Sequence, residues 1–132
     1  AYGQTECAPL LTFSGPETHV FEGPLAYKFK SCGQAVSGVE LKIADEQGKE
    51  VKRGEVGEIY ARGPNIMLGY WRQEELTKKA ISEDGWMRTG DGAKMDEDGY
   101  ANSELLDSTI LIIFLINLCL IFLKSEKPQT SE

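Results

Sequence analysis

The chain has 132 residues, of which 41% are hydrophobic and 27% charged, and its formal net charge at pH 7 is −7. This length predicts one ordinary domain or a piece of a larger protein. The 14 Lys and Arg residues are interspersed among 21 Asp and Glu residues, which argues against a nucleic-acid partner because binding to a phosphate backbone needs clustered basic side chains. The composition still allows a nucleotide held by Mg²⁺ and backbone groups.

The first segment of the chain, YGQTE at Tyr2–Glu6, has residue types that suit a nucleotide. Tyr2 offers a flat face to a base, Thr5 a hydroxyl to a phosphate and Glu6 a carboxylate to Mg²⁺. Gly3 allows tight or left-handed backbone geometry, which predicts a loop. A surface turn without a ligand could carry the same five residues, so the segment alone leaves both interpretations open.

The cysteines and the single histidine point to no site of their own. Cys7, Cys32 and Cys119 lie far apart and form no C-x-x-C pair, so they predict neither a zinc site nor a disulfide framework. Free thiols are typical of a reducing compartment, which favours a cytoplasmic location. His19 stands in a polar stretch, and no Ser–His–acid triad can be assembled around it.

Residues up to about 104 predict a mixed α/β fold in which short antiparallel strands dominate the middle. Alternation of apolar and polar residues predicts a strand within 38–45 (GVELKIAD), and glycines bound a second strand within 57–63 (GEIYARG). Helix formers with acids ahead of bases predict a helix within 72–81 (RQEELTKKAI). Turn signals at Asp84-Gly85 and Asp98-Gly99 flank a predicted strand pair.

Four further side chains in this part are expected to have structural roles. Trp71 and Trp86 are predicted to be packing residues, since large aromatic side chains dominate cores. Asp96 and Asp98 are predicted to cap the turn in which they lie rather than to bind a metal.

The composition changes abruptly at 105–123, where 15 of the 19 residues are apolar (LLDSTILIIFLINLCLIFL). A membrane-spanning helix needs about 20 apolar residues, and this segment just reaches that length if Asp107 is included. It is therefore interpreted as a carboxy-terminal membrane anchor, an aberrant tail that no folding pressure shaped, or a buried core element. The polar C-terminus 124–132 brings Lys124 and Lys127, which do not fix an orientation.

The spacing of four blocks resembles the adenylate-forming (AMP-binding) family: acyl-CoA synthetases, aryl-CoA ligases, luciferases and peptide-synthetase adenylation domains. The blocks are YGQTE, SCGQAVSGVELKI, GEVGEIYARGPNIMLGYW and DGWMRTGDGAKMDEDGY, and they follow one another from Tyr2 to Tyr100. The chain is most similar to acyl-CoA synthetases, the fatty-acid–CoA ligases. The resemblance implies two half-reactions: a carboxylate attacks ATP to give an acyl-adenylate and pyrophosphate, and the thiol of CoA then takes the acyl group.

The same resemblance implies roles for individual residues. Tyr2, with Gly3 beside it, would bind the adenine, and Asp91 in RTGDG would accept both ribose hydroxyls. Thr5 would contact the α-phosphate and Glu6 would coordinate Mg²⁺, so these two residues would act directly in catalysis. ATP, Mg²⁺ and CoA are the implied cofactors and co-substrates, and a carboxylic acid, most simply a fatty acid, is the implied substrate.

In fold terms, the resemblance implies that 1–104 is a partial AMP-binding domain. It would comprise the end of the nucleotide-binding core and the distorted antiparallel β-barrel subdomain of the large domain, followed by an apolar helical tail at 105–123. Because the first two dozen residues would normally lie against a larger sheet, we expect them to leave apolar surface exposed.

Two departures from the family pattern bear on activity. No phosphate-gripping loop precedes YGQTE, and the sequence after Tyr100 (ANSELLDSTILIIF) lacks the Gly-Arg hinge and the later catalytic lysine. We therefore expect an internal fragment of an ATP-dependent carboxylic acid–CoA ligase that is inactive by itself. The alternatives are a truncated, non-catalytic binding or regulatory relative tethered to a membrane through 105–123, and the adenylation domain of a peptide synthetase.

Overall fold

The structure, a computed structural model, describes residues 1–103. The predicted apolar segment 105–123 and the polar C-terminus lie outside these residues. Within 1–103, no helix is long and apolar enough to cross a lipid bilayer. Residues 1–103 contain six strands, β1 (Thr12–Phe13), β2 (Gln34–Ala35), β3 (Glu40–Ala44), β4 (Val56–Arg62), β5 (Met87–Met95) and β6 (Ala101–Ser103). The one α-helix in this part of the chain is α1 (Glu74–Ala80), and 3₁₀ helices span Thr5–Cys7, Pro16–Thr18 and Ala26–Lys30.

Antiparallel pairing organises the strands into two sheets that adjoin each other. Strands β3, β4, β5 and β6 form a four-stranded sheet in that order, and β1 pairs with β2. An antiparallel bridge between Gly33 and Ala101 places the β1–β2 ribbon beside β6, with Ala101 N–H donating to the Gly33 carbonyl at 2.9 Å. The prediction of a mixed fold rich in short antiparallel strands is confirmed.

The two central strand predictions are confirmed because their patterns are local. In β3, Ile43 is buried while Glu40 is exposed, as alternation requires of a strand with one covered face. Across the sheet, Glu40 lies opposite Arg62 of β4, and the two form an ion pair of 2.8 Å. The core below is built from side chains of strands β3, β4, β5 and β6 and of the segments that precede β1 and β2, with two buried cysteines: Tyr2, Cys7, Leu11, Cys32, Ile43, Ile59, Ala61, Met87, Ala93, Met95 and Ala101.

Helix α1 confirms the helix predicted within 72–81. Glu74 and Glu75 lie in its first turn and Lys78 and Lys79 in its last, which opposes the partial charges of the helix ends. None of its residues is buried, so it is a surface helix on the rim of the sheet.

The predicted strand pair between the two Asp-Gly turns is wrong. Between them the chain forms one nine-residue strand, β5, in which Gly90 has a φ of +79°. The register of β4 and β5 shifts between Glu58 and Tyr60, which is a bulge in a continuous strand pairing and not a turn between two strands. The Asp98-Gly99 turn does connect two strands, β5 and β6, and Asp96 caps it by accepting the Tyr100 N–H at 2.8 Å. Asp98 instead pairs with Lys28 at 2.6 Å.

The expectation for the two tryptophans holds for one of them. Trp86 is half-buried and packs under two cationic groups, with Lys42 Nζ 4.5 Å and the Arg62 guanidinium carbon 4.6 Å from the ring centroid. Trp71 is 84% exposed and is no packing residue of this part of the chain. The expected apolar surface in the first two dozen residues is present, since Phe13 and Phe21 are 57% and 80% exposed.

Candidate functional site

The YGQTE segment forms one side of a closed loop anchored on strand β1. Tyr2 and Thr12 form an antiparallel bridge, in which Tyr2 N–H donates to the Thr12 carbonyl at 3.1 Å and Thr12 N–H to the Tyr2 carbonyl at 3.0 Å. Gly3 is needed there for close approach and not for a left-handed backbone: a Cβ on Gly3 would lie 1.8 Å from the Pro9 carbonyl oxygen, and its φ is not positive. The loop can therefore close in this way because residue 3 has no side chain.

Extended backbone directs two side chains of this segment to the same place. Gln4 has φ −139° and ψ 165°, and alternate residues of an extended chain point to the same side. The Tyr2 hydroxyl donates to Asp91 Oδ2 at 2.6 Å, and the Gln4 amide nitrogen donates to the same oxygen at 2.9 Å. Tyr2 and Gln4 thus share one carboxylate oxygen of Asp91, a residue 89 positions after Tyr2.

The donor role of Tyr2 is secured by its surroundings. Burial, and next the hydrogen bond to Asp91, raise the pKa of Tyr2 far above its ordinary value. The hydroxyl therefore stays protonated at neutral pH and donates to the carboxylate. Among residues 1–103, no group donates to the other carboxylate oxygen, Oδ1 of Asp91, and the residue is only half-buried.

Strand β5 supplies the support behind Asp91. Thr89 Oγ1 donates to the Ile59 carbonyl of β4 at 2.9 Å, and the Asp91 N–H donates to Thr89 Oγ1 at 3.2 Å. The Gln4 amide nitrogen also donates to the Thr89 carbonyl at 2.8 Å. Asp91 is therefore fixed both through its backbone and through its carboxylate.

Glu6 is held by a residue that the sequence did not single out. The Tyr70 hydroxyl donates to Glu6 Oε1 at 2.9 Å, and this hydrogen bond raises the pKa of Tyr70. The Met67 N–H donates to the Glu6 carbonyl at 2.8 Å, so the segment before α1 binds Glu6 through two hydrogen bonds. In the described part of the chain, Oε2 of Glu6 receives no hydrogen bond and stays available to a ligand.

The number of possible metal ligands around Glu6 indicates what sort of Mg²⁺ site this residue can form. No group of three or more His, Cys, Asp or Glu within 1–103 could enclose a metal ion. Mg²⁺ in nucleotide sites needs only one or two carboxylates, because phosphate oxygens and waters complete its shell. Glu6 thus fits a Mg²⁺ ion that arrives with a phosphorylated ligand.

Thr5 follows Gln4 in the short 3₁₀ helix Thr5–Cys7 and is exposed. Because the residue is exposed, its hydroxyl can face a ligand. Asn65 holds the far side of the loop, where its amide nitrogen donates to the carbonyls of Cys7 and Leu10 at 2.9 and 2.8 Å. Burial raises the pKa of the Cys7 thiol, so this side chain is a neutral core residue.

The structure brings Tyr2 and Asp91 together directly, and leaves Gly3, Thr5 and Glu6 in the same loop. Sequence reasoning missed Gln4, Tyr70 and Asn65. For Gln4 a signal existed, since it stands two residues after Tyr2 in an extended stretch. For Tyr70 and Asn65 no local signal existed, because their partners lie 55 to 64 positions away.

Comparison with known proteins gives the site its context. The family model described as AMP-binding enzyme matches residues 1–71, more than half of the chain. The long-chain-fatty-acid–CoA ligase of Salmonella typhimurium strain LT2 is 42% identical over 99 residues, which are 75% of this chain and 16% of that relative. The chain therefore spans about a sixth of the length of such a curated relative.

Solved structures agree with the sequence comparison. Apo MatB from Rhodopseudomonas palustris is 37% identical with a TM-score of 0.63, over 77% of this chain and 19% of that one. The ATP-bound MatB structure from the same organism is 44% identical with a TM-score of 0.55, over 56% of this chain and 15% of that one.

Proposed function

The chain belongs to the AMP-binding enzyme family, and on that premise we propose that it is part of an ATP-dependent carboxylic acid–CoA ligase. The observation that carries the proposal is the hydrogen bond of 2.6 Å between Tyr2 and Asp91. It joins the first and last blocks of the family pattern at one point, as a shared nucleotide site requires. The relatedness to a fatty-acid–CoA ligase and to a structure that binds ATP supports the same activity.

In the proposed site, Tyr2 and Asp91 bind the adenosine end of ATP. The ring of Tyr2 provides a face for adenine, with Gly3 allowing the backbone to pass close by, and the ionised carboxylate of Asp91 accepts hydrogen from the ribose hydroxyls. Charge-assisted hydrogen bonds of this kind are stronger than neutral ones, so Asp91 sets much of the affinity for the nucleoside.

Thr5 and Glu6 act at the phosphate end. The free hydroxyl of Thr5 donates to the α-phosphate, and the Glu6 carboxylate holds the Mg²⁺ that neutralises the phosphate oxygens when it is bound. The hydrogen bond from the Tyr70 hydroxyl to Oε1 fixes the orientation of the Glu6 carboxylate. Each residue thereby positions charge where an attacking carboxylate would displace pyrophosphate.

The fold and location follow from the same proposal. Residues 1–104 are the end of the nucleotide-binding core and the distorted antiparallel β-barrel subdomain of the large domain. Two observations support this assignment: the antiparallel sheet β3-β4-β5-β6, and the bridge between Gly33 and Ala101 that joins the β1–β2 pair to β6. The buried thiol of Cys7 is in keeping with a reducing, cytoplasmic setting. A fatty acid is the proposed acyl donor, and CoA the acceptor.

Acid-dependent exchange of labelled pyrophosphate into ATP tests the proposal. The protein is expressed at the full length that its gene encodes and assayed with fatty acids of several chain lengths, aromatic acids and amino acids. We expect exchange with a fatty acid and formation of its CoA thioester. Exchange with amino acids alone would assign a peptide-synthetase adenylation domain instead, and no exchange by the folded protein would support a non-catalytic relative.

A further inference from the structure

We propose that Gln4 is a positioning residue that, together with the Tyr2 hydroxyl, turns the Asp91 carboxylate so that only Oδ1 faces the ribose. This inference rests on the proposed nucleotide site and adds to it how the ribose acid is oriented. It also assigns a function to the one side chain of YGQTE that the sequence left without a role.

The orientation of the Gln4 amide follows from its partners. Its nitrogen lies 2.9 Å from Asp91 Oδ2 and 2.8 Å from the Thr89 carbonyl oxygen. Both partners are acceptors, and an amide nitrogen carries two hydrogens. Rotating the amide by half a turn would place its own oxygen against two oxygens, so one orientation satisfies both contacts and the other satisfies neither.

The carboxylate oxygen next to Gln4 is fully used by the protein. A carboxylate has about four lone-pair sites, two on each oxygen. The Tyr2 hydroxyl and the Gln4 amide occupy Oδ2, which leaves Oδ1 for a ligand. Both ribose hydroxyls must therefore donate to Oδ1. The sequence predicted only that Asp91 accepts both hydroxyls, without saying which oxygen does so.

The chemistry of glutamine matters to this arrangement. A Lys or Arg at position 4 would orient the carboxylate equally well but would neutralise its charge. The neutral amide of Gln4 orients Asp91 and preserves the negative charge that strengthens hydrogen bonds from the ribose.

Binding of AMP without turnover tests the role directly. Isothermal titration calorimetry on the protein at the full length its gene encodes compares AMP with 2′-deoxy-AMP and 3′-deoxy-AMP. In the unmodified protein we expect each missing hydroxyl to weaken binding by roughly tenfold or more, as for a hydrogen bond to a charged group. In Gln4→Met, which removes the amide at similar size, AMP should bind more weakly and the penalty for each deoxy form should fall to about threefold or less.

Three further variants complete the design. Gln4→Glu keeps the shape and replaces the donor by an acceptor facing Asp91, and it should reduce the deoxy penalty at least as much. Tyr2→Phe removes the other donor to Oδ2 and should reduce the penalty in the same direction. Gln34→Met is the matched control, because Gln34 is exposed and donates to the Asp98 carbonyl at 2.8 Å, so its ligand preferences should equal those of the unmodified protein.

The outcomes separate the two proposals. If the unmodified protein prefers AMP to its deoxy forms and folded Gln4 variants keep the full preference, the positioning role is wrong and the nucleotide site stands. If the unmodified protein binds no AMP, both the nucleotide site and the role of Gln4 are wrong. Thermal unfolding of each variant shows whether it is folded, and Tyr2→Phe decides the case if both Gln4 variants unfold.

Discussion

At the scale of single residues, a tyrosine hydroxyl orients each of the two carboxylates proposed to bind the nucleotide. Tyr2 donates to Asp91 and Tyr70 donates to Glu6. In both pairs the pKa of the tyrosine is raised, so the tyrosine stays protonated and remains the donor. The two pairs differ in burial, since Tyr2 is 9% exposed and Tyr70 37%.

Changing Glu6 to Gln should shift the Mg²⁺ requirement of pyrophosphate exchange. The variant keeps the shape of the side chain but removes the charge that holds the ion, so half-maximal exchange should need roughly tenfold more Mg²⁺. Tyr70→Phe should shift the requirement in the same direction by a smaller factor, because the carboxylate is only less well oriented. Unchanged Mg²⁺ titrations for both variants would exclude Glu6 as the metal ligand.

The raised pKa of Tyr2 predicts a loss of stability in alkali. Unfolded tyrosine ionises near its ordinary pKa of 10.0 while Tyr2 in the folded protein stays protonated. Above that pH the unfolded state binds fewer protons than the folded state, so the free energy of unfolding falls as pH rises, by roughly 1 kcal/mol at pH 11. The unmodified protein should therefore lose more thermal stability than Tyr2→Phe between pH 8 and pH 10.5, and equal losses would contradict this account.

At the scale of elements, the nucleotide loop is held by contacts that are mostly main-chain. The bridge between Tyr2 and Thr12 closes it, and the Asn65 amide fastens its far side. The loop tolerates little change at Gly3, where the Pro9 carbonyl fills the space of a side chain. The shape of the site is thus set by packing of backbone on backbone.

Gly3→Ala should destabilise the protein far more than Gly15→Ala. The added methyl at position 3 would lie 1.8 Å from a backbone oxygen, whereas at position 15 its nearest contact, at 2.2 Å, is the end of the flexible Glu17 side chain. Overpacking against an immobile group costs about 3 kcal/mol or more, and a movable side chain relieves it. Chemical denaturation of both variants checks the difference, and similar stabilities would show that the loop can rearrange.

At the scale of the whole molecule, the chain spans 16% of the length of its ligase relative, and large aromatic side chains in and after β1 are exposed. Phe13 and Phe21 expose 57% and 80% of their areas. Phe21 packs against Phe29 with ring centroids 4.6 Å apart and ring planes tilted by 47°, which forms an aromatic surface on the segment after β1. The proposed site residues lie in 1–91, and they serve the adenosine, the α-phosphate and the metal.

We predict that the 132-residue chain alone does not form acyl-adenylate. In the family it resembles, a phosphate loop and a mobile lysine share the work at the reacting phosphates, and the proposed residues of this chain do not replace them. ATP consumption by the purified chain, with fatty acids and CoA present, should not exceed that of its Glu6→Ala variant. Turnover clearly above this control would show that the chain is sufficient for catalysis.

Local patterns in the sequence were enough for much of the fold. Strands β3 and β4 and helix α1 were predicted because alternation, glycine boundaries and helix-forming charges act over a few neighbouring residues. The family, and with it the set Tyr2, Thr5, Glu6 and Asp91, came from the order of four blocks, although the roles of these residues remain predictions.

The sequence by itself determined strands β3 and β4, helix α1 and the family to which the chain belongs, and the tertiary structure decided how distant residues meet. Strand β5 is continuous because its pairing with β4 overrides the turn preference of its Gly-Asp-Gly stretch. Trp71 is exposed because the described part of the chain covers little of its side chain. The contacts of Gln4 with Asp91 and of Tyr70 with Glu6 join residues 87 and 64 positions apart. No local periodicity encodes such contacts, because a hydrogen bond between remote side chains exists only once the sheet has fixed both backbones in place.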